Sequence, residues 1–394
     1  MKIAVVRLTS LGDIVQTMIV VQFIKKNYPN ASIDWYVDTR YIEIVKLNSD
    51  INNIYSIGLR DFKSNLNFSS IIKDLKIIRK NNEYDVLFDF QGLLKSALIS
   101  RFIKAKKRVG FSRNSCREPS AGLFYDVGIN ISYNDNVYKR YTRLISEVLE
   151  IEIDENSIRS RERYLLQNQN FKRKSFIGIF VGSSIKKKNF PIEGYVNLIN
   201  TMNKEFLLIW GDENERRTAE KIQSLSRKKN VLISEKLSLS GLTKLINSLE
   251  LLIGADTGPL HIAWACKIPS IVFFGPTSMD RVFFPTEKNL CFQIDFEALF
   301  VKVTAELKSI PPFPSIVPLL IRFVLTLLLK VIIFPPVVEP VMLPLFVKFS
   351  IEMELPLDPA FTTVLVLERV TPELITKSSP LVTTTVELVF AEIT

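Results

Sequence analysis

The chain has 394 residues, enough for two domains that each bury a core, and its 47% hydrophobic content excludes a disordered protein. Its three cysteines, Cys116, Cys266 and Cys291, are odd in number and far apart, which excludes a disulfide framework or a zinc site and suits a reducing cytoplasm. The net charge of +10 conceals an asymmetry: residues 294–394 hold seven Lys or Arg against eleven Asp or Glu, leaving +14 on the first 293.

In chain order, MKIAVVRL opens with one Lys before a short apolar run that reads as a strand, with no A-x-A cleavage pattern, so no signal peptide is expected. Residues 12–27 read as a helix, SIDWYVD as a strand, 40–48 as a helix and NNIYSIG as a strand. A helix near 67–81, the strand YDVLFDF, a helix near 92–104, the strand RVGF and a closing helix over 137–150 follow. Strands separated by amphipathic helices imply a mostly parallel sheet covered on both faces. The polar stretch 153–174, IDENSIRSRERYLLQNQNFKRK, reads as a linker.

The alternation then restarts with FIGIFVG, a helix opened by Pro191, EFLLIWG, a helix over 213–228 and NVLISE. A helix near 240–249, LLIGAD, a helix from 258 and SIVFFG complete the second unit. Pro191 suits a first helical turn, where its missing N–H leaves no bond unmade. The expected fold is α/β, with Rossmann-like domains over residues 1–160 and 172–293 facing a cleft. Ligands in such sheets bind beyond the carboxyl ends of the strands, which selects loops 8–13, 89–92, 182–188, 210–215 and 256–261.

Residues 294–394 differ in kind: they lack Gly, Asn, Gln, Tyr, Trp, His and Cys and hold twelve of the nineteen prolines. Without the usual turn formers this Pro-rich, hydrophobic tail does not read as a third folded domain. SIVPLLIRFVLTLLLKVIIF, 315–334, approaches the ~20 apolar residues of a membrane span. Pro318, Arg322 and Lys330 interrupt it, and each central charge costs roughly 2.5 to 3.5 kcal/mol. A span, a segment lying on a membrane, and a tail foreign to the rest, as from a shifted reading frame, all remain open.

Several loops carry chemistry. RLTSLGDIVQT, 7–17, puts Asp13 where a phosphate loop would carry glycines, so the loop is either a helix cap or the seat of a base. GADTGPLHIAWA, 254–265, ends a strand at Asp256 and opens a helix at Thr257 and Gly258 beside His261, the chain's one histidine. That is a diphosphate site or an ordinary cap. FVGSSIKKKNFP, 180–191, gathers Ser183, Ser184 and a lysine run that can meet phosphate oxygens or simply be solvated. In IWGDENE, 209–215, Glu215 suits two ribose hydroxyls or a helix first turn. In CREPSAGLFY, 116–125, Arg117 offers a bidentate grip on an anion or an ion pair with Glu118.

Together with FDFQGLLKSAL, KNFPIEGY, LSLSGLTKLINSLELLIGADTGPLHIAWA and FGPT, these segments resemble glycosyltransferase family 9 over roughly residues 1–280, nearest to its heptosyltransferase I group. The resemblance implies a GT-B fold and metal-independent, inverting transfer of L-glycero-D-manno-heptose from ADP-heptose to a Kdo residue of Kdo2-lipid A. It implies no cofactor and a peripheral place at the cytoplasmic face of the inner membrane. Asp13 would be the general base and Lys188 would neutralise the departing ADP. Ser183, Ser184, Thr257 and Gly258 would line the diphosphate, Asp256 the heptose and Glu215 the ribose, while His261 would either contact ligand or pack the helix. Arg117, with Lys95 and Arg113, would meet the anionic acceptor.

Two departures stand out. NDNVYKRYTRL has Asn136 near the place where the family often carries a histidine, and nothing after Phe292 resembles the family's closing helix. Heptosyltransferase II or another family 9 transferase is the nearest alternative. A catalytically inactive, nucleotide-binding, membrane-associated protein is a further one. An NAD-dependent enzyme is disfavoured because the first turn lacks G-x-G-x-x-G, and nucleic acid because no binding signature accompanies the basic body. The oligomeric state is not legible.

Overall fold

The apolar run after Met1 forms β1 (Lys2–Val6), whose Ile3, Ala4, Val5 and Val6 are fully buried. Such a strand needs parallel neighbours and cover on both faces. β1 has β2 (Ser32–Asp38) on one side and β4 (Tyr84–Asp89) on the other, both parallel. In this computed structural model, which describes residues 1–58, 83–172, 174–183, 185–295 and 300–302, β3 (Asn53–Ile57), β5 (Ala105–Phe111) and β6 (Val127–Ile129) complete a six-stranded sheet ordered β3-β2-β1-β4-β5-β6. The helix expected near 67–81, Ser184 and the tail segment 315–334 lie outside the described residues.

The expected helix over 12–27 is two helices, α1 (Leu11–Thr17) and α2 (Ile19–Asn27). Thr17 Oγ1 bonds back to the Asp13 carbonyl at 2.7 Å, a habit of Thr that bends helices, and the break falls at the next residue, Met18. α3 (Ile42–Val45), α4 (Leu94–Phe102) and α5 (Val137–Leu149) follow at the expected places.

The stretch expected to be a polar linker is a packed strap instead. It contains α6 (Glu155–Arg159) and buries Ile158, Arg161, Tyr164 and Leu165. Arg161 stacks 3.3 Å over the Trp264 ring and donates to the Trp264 carbonyl and to Asn289 Oδ1. Alternating charges hide these anchors from a composition reading, because an arginine with carbonyls and an aromatic face to meet can be buried.

The second sheet contains β7 (Phe176–Phe180), β8 (Glu205–Ile209), β9 (Val231–Ile233), β10 (Leu251–Ala255), β11 (Ser270–Phe274), β12 (Asn289–Asp295) and β13 (Phe300–Lys302). Its order is β13-β12-β11-β10-β7-β8-β9, parallel except for β13. Its helices are α7 (Ile192–Thr201), α8 (Glu213–Leu225), α9 (Leu239–Ser248), α10 (Gly258–Ala265) and α11 (Met279–Val282). Pro191 occupies the N-cap of α7, one residue before the expected first turn. The three cysteines are buried and unpaired, burial pushing the thiols of Cys266 and Cys291 up to about 12.

Each sheet reverses its winding once, between β1 and β4 in the first and between β7 and β10 in the second. Crevices open at such points, and here the two reversal points meet through α1 and α10. A Cβ on Gly12 would lie 2.8 Å from His261 Cδ2, and one on Gly258 would lie 2.6 Å from Leu11 Cδ2. The helices touch because both residues lack a side chain. Gly12→Ala is therefore expected to destabilise the protein by roughly 1 to 3 kcal/mol through overpacking, and an unchanged thermal midpoint would show that the contact yields freely.

Candidate active site

The loop after β1 is held from the neighbouring strand. Gln91 Oε1, just past β4, accepts the Leu8 N–H at 2.9 Å, and Asp89 fixes that turn by accepting the Gln91 N–H and the Tyr125 hydroxyl, each at 2.8 Å. The chain then enters α1 at Ser10, with Asp13 in its first turn.

Asp13 is part of the helix cap and at the same time lines a cavity. Its Oδ2 accepts from the Ser10 N–H at 3.1 Å and the Ser10 hydroxyl at 2.7 Å, closing the cap of α1. Its Oδ1 meets Arg7 Nη2 at 2.8 Å, yet the side chain stays 39% exposed. Burial would raise its pKa, but the Arg7 charge and the two Ser10 hydrogen bonds outweigh that and hold the carboxyl below the usual carboxylate range. Arg7 cannot turn away: Nη1 donates to the Phe90 carbonyl at 2.5 Å and the guanidinium lies 5.5 Å from the Tyr141 ring centre.

Asp13 faces a cavity of about 260 Å³ whose wall includes Ser10, Gln91, Leu93 and the guanidinium groups of Arg7, Arg117, Arg140 and Arg281. Arg140 is committed to the wall, donating to the carbonyls of Ile131, Ser132 and Ser115 and stacking 4.2 Å from Phe111. Arg281 comes from α11, on the second sheet. Its Nε donates to the Tyr133 carbonyl at 3.1 Å and its guanidinium lies 4.2 Å over the Tyr133 ring, which orients it across the gap between the two sheets. Asn136 ties the same elements together by donating to the carbonyls of Asp280 and Phe283 at 2.7 and 2.6 Å.

Behind the α1–α10 contact lies a second polar centre. Asp256 Oδ2 accepts from Lys188 Nζ at 2.5 Å, and Oδ1 lies 3.4 Å from His261 Nε2. His261 Nδ1 is 3.4 Å from Gln16 Nε2, which also donates to the Val282 carbonyl at 2.6 Å. Since the Gln16 amide nitrogen can only donate, the network assigns the His261 proton to Nε2, facing Asp256. Burial opposes the Asp256 charge, but His261 and Lys188 prevail and hold its pKa down at about 2. Asp256 caps nothing here. The N-cap of α10 is Thr257, whose side chain makes no capping bond.

Ser183 lies in the loop three residues past β7, its Oγ accepting the Ile185 N–H at 3.4 Å. Glu215 folds back over that loop: its carboxylate accepts the Gly211 N–H at 2.6 Å and occupies the space a Cβ on Gly182 would need. Burial raises its pKa. The N-cap of α8 is Asp212, accepting from the N–H groups of Asn214 and Glu215.

The structure thus brings Asp13 and Arg117 to one cavity, and Lys188, Asp256 and His261 to the adjoining centre with Thr257 and Gly258. Lys95 is exposed on α4 and Arg113 lines a separate open hollow with Asn114 and Asn130, so neither lines the Asp13 cavity. Sequence reading did not single out Arg7, Gln16, Gln91, Arg140 or Arg281. One signal was available, an arginine directly after the buried strand KIAVV, where a charge must be paired. Among the described residues no three His, Cys, Asp or Glu side chains are grouped to hold a metal.

The glycosyltransferase family 9 (heptosyltransferase) model matches residues 72–300. Lipopolysaccharide heptosyltransferase 1 of Campylobacter coli is 37% identical over 310 residues, covering 73% of this chain and 88% of that protein. The Escherichia coli K12 protein of the same name is 24% identical, covering 70% and 88%. Among solved structures, E. coli heptosyltransferase WaaC with ADP superposes with a TM-score of 0.67 at 21% identity, covering 74% of this chain and 93% of that one. E. coli ADP-heptose lps heptosyltransferase II superposes at 0.58 and 18%, covering 84% and 99%.

Two titrations check these electrostatics. In Arg7→Gln burial is left to act against fewer opposing charges, so the Asp13 carboxyl midpoint, followed by 13C NMR, is expected to rise above its wild-type value. The depressed Asp256 pKa contributes stability that is present above the unfolded value of about 3.9 and lost as pH falls through about 2. Asp256→Asn should remove roughly 2 kcal/mol of that pH dependence from thermal midpoints measured between pH 2 and 5.

Proposed function

Because the chain belongs to glycosyltransferase family 9, the heptosyltransferases, we propose that this heptosyltransferase of lipopolysaccharide core biosynthesis transfers L-glycero-D-manno-heptose from ADP-heptose to a Kdo residue of Kdo2-lipid A. The first sheet and its helices would hold the acceptor and the second the donor, at the cytoplasmic face of the inner membrane. The observation that carries the reading is Asp13, an ionised carboxylate fixed by Arg7 and Ser10, facing an arginine-walled cavity beside the uncapped start of α10.

In this reading the acceptor oxygen bonds to the anomeric carbon from the face opposite ADP. The bond to the phosphate oxygen breaks, leaving its electron pair on ADP, and Asp13 takes the hydroxyl proton. A base of low pKa suffices, since the acceptor oxygen becomes acidic as it bonds to an oxocarbenium-like carbon. Lys188 and the first N–H groups of α10, at Thr257 and Gly258, would meet the diphosphate, doing without a metal what a divalent ion does elsewhere. Ser183 would assist, Asp256 would accept heptose hydroxyls and Glu215 ribose hydroxyls. His261 would act through Asp256 by orienting it. Arg117 and Arg281, from opposite sheets, would meet the acidic groups of the acceptor.

Asp13→Asn keeps the shape and removes the base. Its ADP release in the presence of ADP-heptose and Kdo2-lipid A is expected to fall about 10² to 10⁴-fold, with ADP affinity unchanged within a factor of two. A variant retaining most of its rate would reject Asp13 as the base. The Asp13-dependent acid limb of wild-type kcat/KM should fall at lower pH than an ordinary aspartate would give, and should move up in Arg7→Gln, because the base ionises below the ordinary range. Arg281→Ala is expected to raise the acceptor KM about tenfold, the worth of one charge-assisted contact, while leaving the ADP-heptose KM unchanged.

A further inference from the structure

The outer pole of α4 is apolar. Leu94, Leu98 and Phe102, spaced at i, i+4 and i+8, are 37%, 42% and 44% exposed, while Ser96, Ala97, Ile99 and Ser100 face inward. Leu123, 64% exposed, stands on the 3₁₀ turn Pro119–Phe124, which packs beside α4. These four are among nine large apolar side chains exposed in the described residues. Scattered apolar residues are ordinary on a surface, but a contiguous group rimmed by charge marks an interface.

The rim is predominantly basic. Residues 93–126 contain eight Lys or Arg against two acidic residues, Glu118 and Asp126, and Asp126 lies 3.6 Å from both Arg101 and Arg108 while Asp85 pairs with Lys106 at 2.8 Å. Glu118 is engaged locally, accepting the Leu94 N–H at 2.7 Å. On and beside α4 and the turn, Lys95, Lys104, Lys107 and Arg113 are exposed, as is Arg101 beside Asp126. The same segments reach the active cavity, since Leu93, one residue before α4, and Arg117, two residues before the turn, line it with Asp13.

We propose that the face made by α4 and the Pro119–Phe124 turn docks on an anionic lipid bilayer, with Leu94, Leu98, Phe102 and Leu123 entering the headgroup boundary and the basic rim meeting the lipid charge. This pattern fits a bilayer better than a protein partner, because an amphipathic helix with apolar residues on one face and Lys or Arg beside them binds in the interface plane. The proposal rests on the reading of a lipid-anchored acceptor. Docked this way, the chain brings Leu93 and Arg117, which line the Asp13 cavity, close to the membrane surface, so a saccharide could reach the base while its acyl chains stay in the bilayer.

The test uses the full-length protein and a surface variant, L98N/F102N/L123N, whose fold is checked by its thermal midpoint. The wild type is expected to co-sediment with phosphatidylethanolamine–phosphatidylglycerol vesicles, less so with phosphatidylcholine vesicles and less at high salt. The variant should partition at least tenfold more weakly. K104E/K107E should lose the preference for anionic vesicles even though every apolar residue is intact. On a water-soluble, deacylated Kdo acceptor L98N/F102N/L123N should match the wild type within twofold, and on the same saccharide anchored in vesicles it should lose at least tenfold. Equal vesicle binding by wild type and variant would overturn the proposal, as would equal loss on both acceptors. So would a concentration-dependent dimer in sedimentation velocity that the variant abolishes without any change in vesicle binding. Wild-type protein inactive on both acceptors would count against the heptosyl-transfer reading, while the vesicle arm would still decide the docking face.

Discussion

The close crossing of α1 and α10 is the constraint on which the remaining geometry depends. Two glycines, Gly12 and Gly258, let the opening turns of these helices touch, and Gln16 and His261 tie them with polar contacts just inside. Both helices start at the winding reversal of their sheets, so their contact fixes the two crevices against each other. Asp13 enters this junction from one side and Asp256 from the other. Widening the crossing by one methyl group would move both carboxylates at once, because neither is carried by a free loop.

Each carboxylate has its own cation, and the two pairs differ in kind. Arg7 is buried and locked by a carbonyl and an aromatic ring, so its pairing with Asp13 is permanent. Lys188 sits on a short 3₁₀ turn after β7 and holds Asp256 through a single ammonium on a flexible stem. An arginine fork gives fixed geometry, whereas a lysine is a mobile point charge that can be shared with an arriving phosphate. The site thus combines one set electrostatic environment with one that can be redistributed.

The architecture was largely legible because the hydrophobic pattern changes period cleanly between strands and helices. The strand–turn–helix junctions at Asp13 and Asp256 announced themselves through glycine and carboxylate at strand ends. His261 lies in the same segment as its partner Asp256, whereas Lys188 reaches Asp256 from a loop 68 residues away. What sequence could not give were contacts between elements far apart in the chain. Arg281 reaches the Asp13 cavity only because α11 packs against the loop at Tyr133, and Gln16 matters only because α10 lies beside it. Arg161 read as a linker charge because nothing local reveals the Trp264 ring it covers. β12 and β13 were missed because they fall where the composition turns towards that of the tail.

Arg281 also bears on how such proteins diversify. A molecule built from two similar halves invites the view that donor and acceptor preferences are separate modules, free to be exchanged by recombination at the strap between them. Here the second half lends a guanidinium to the cavity of the first, anchored on Tyr133, and Asn136 returns the link by binding the backbone on either side of it. A hybrid joined at the strap would inherit a cavity wall from one parent and its Arg281 from the other. The wall of the Asp13 cavity is therefore a property of matched halves, and an exchange at the strap would change its lining even where each half is intact.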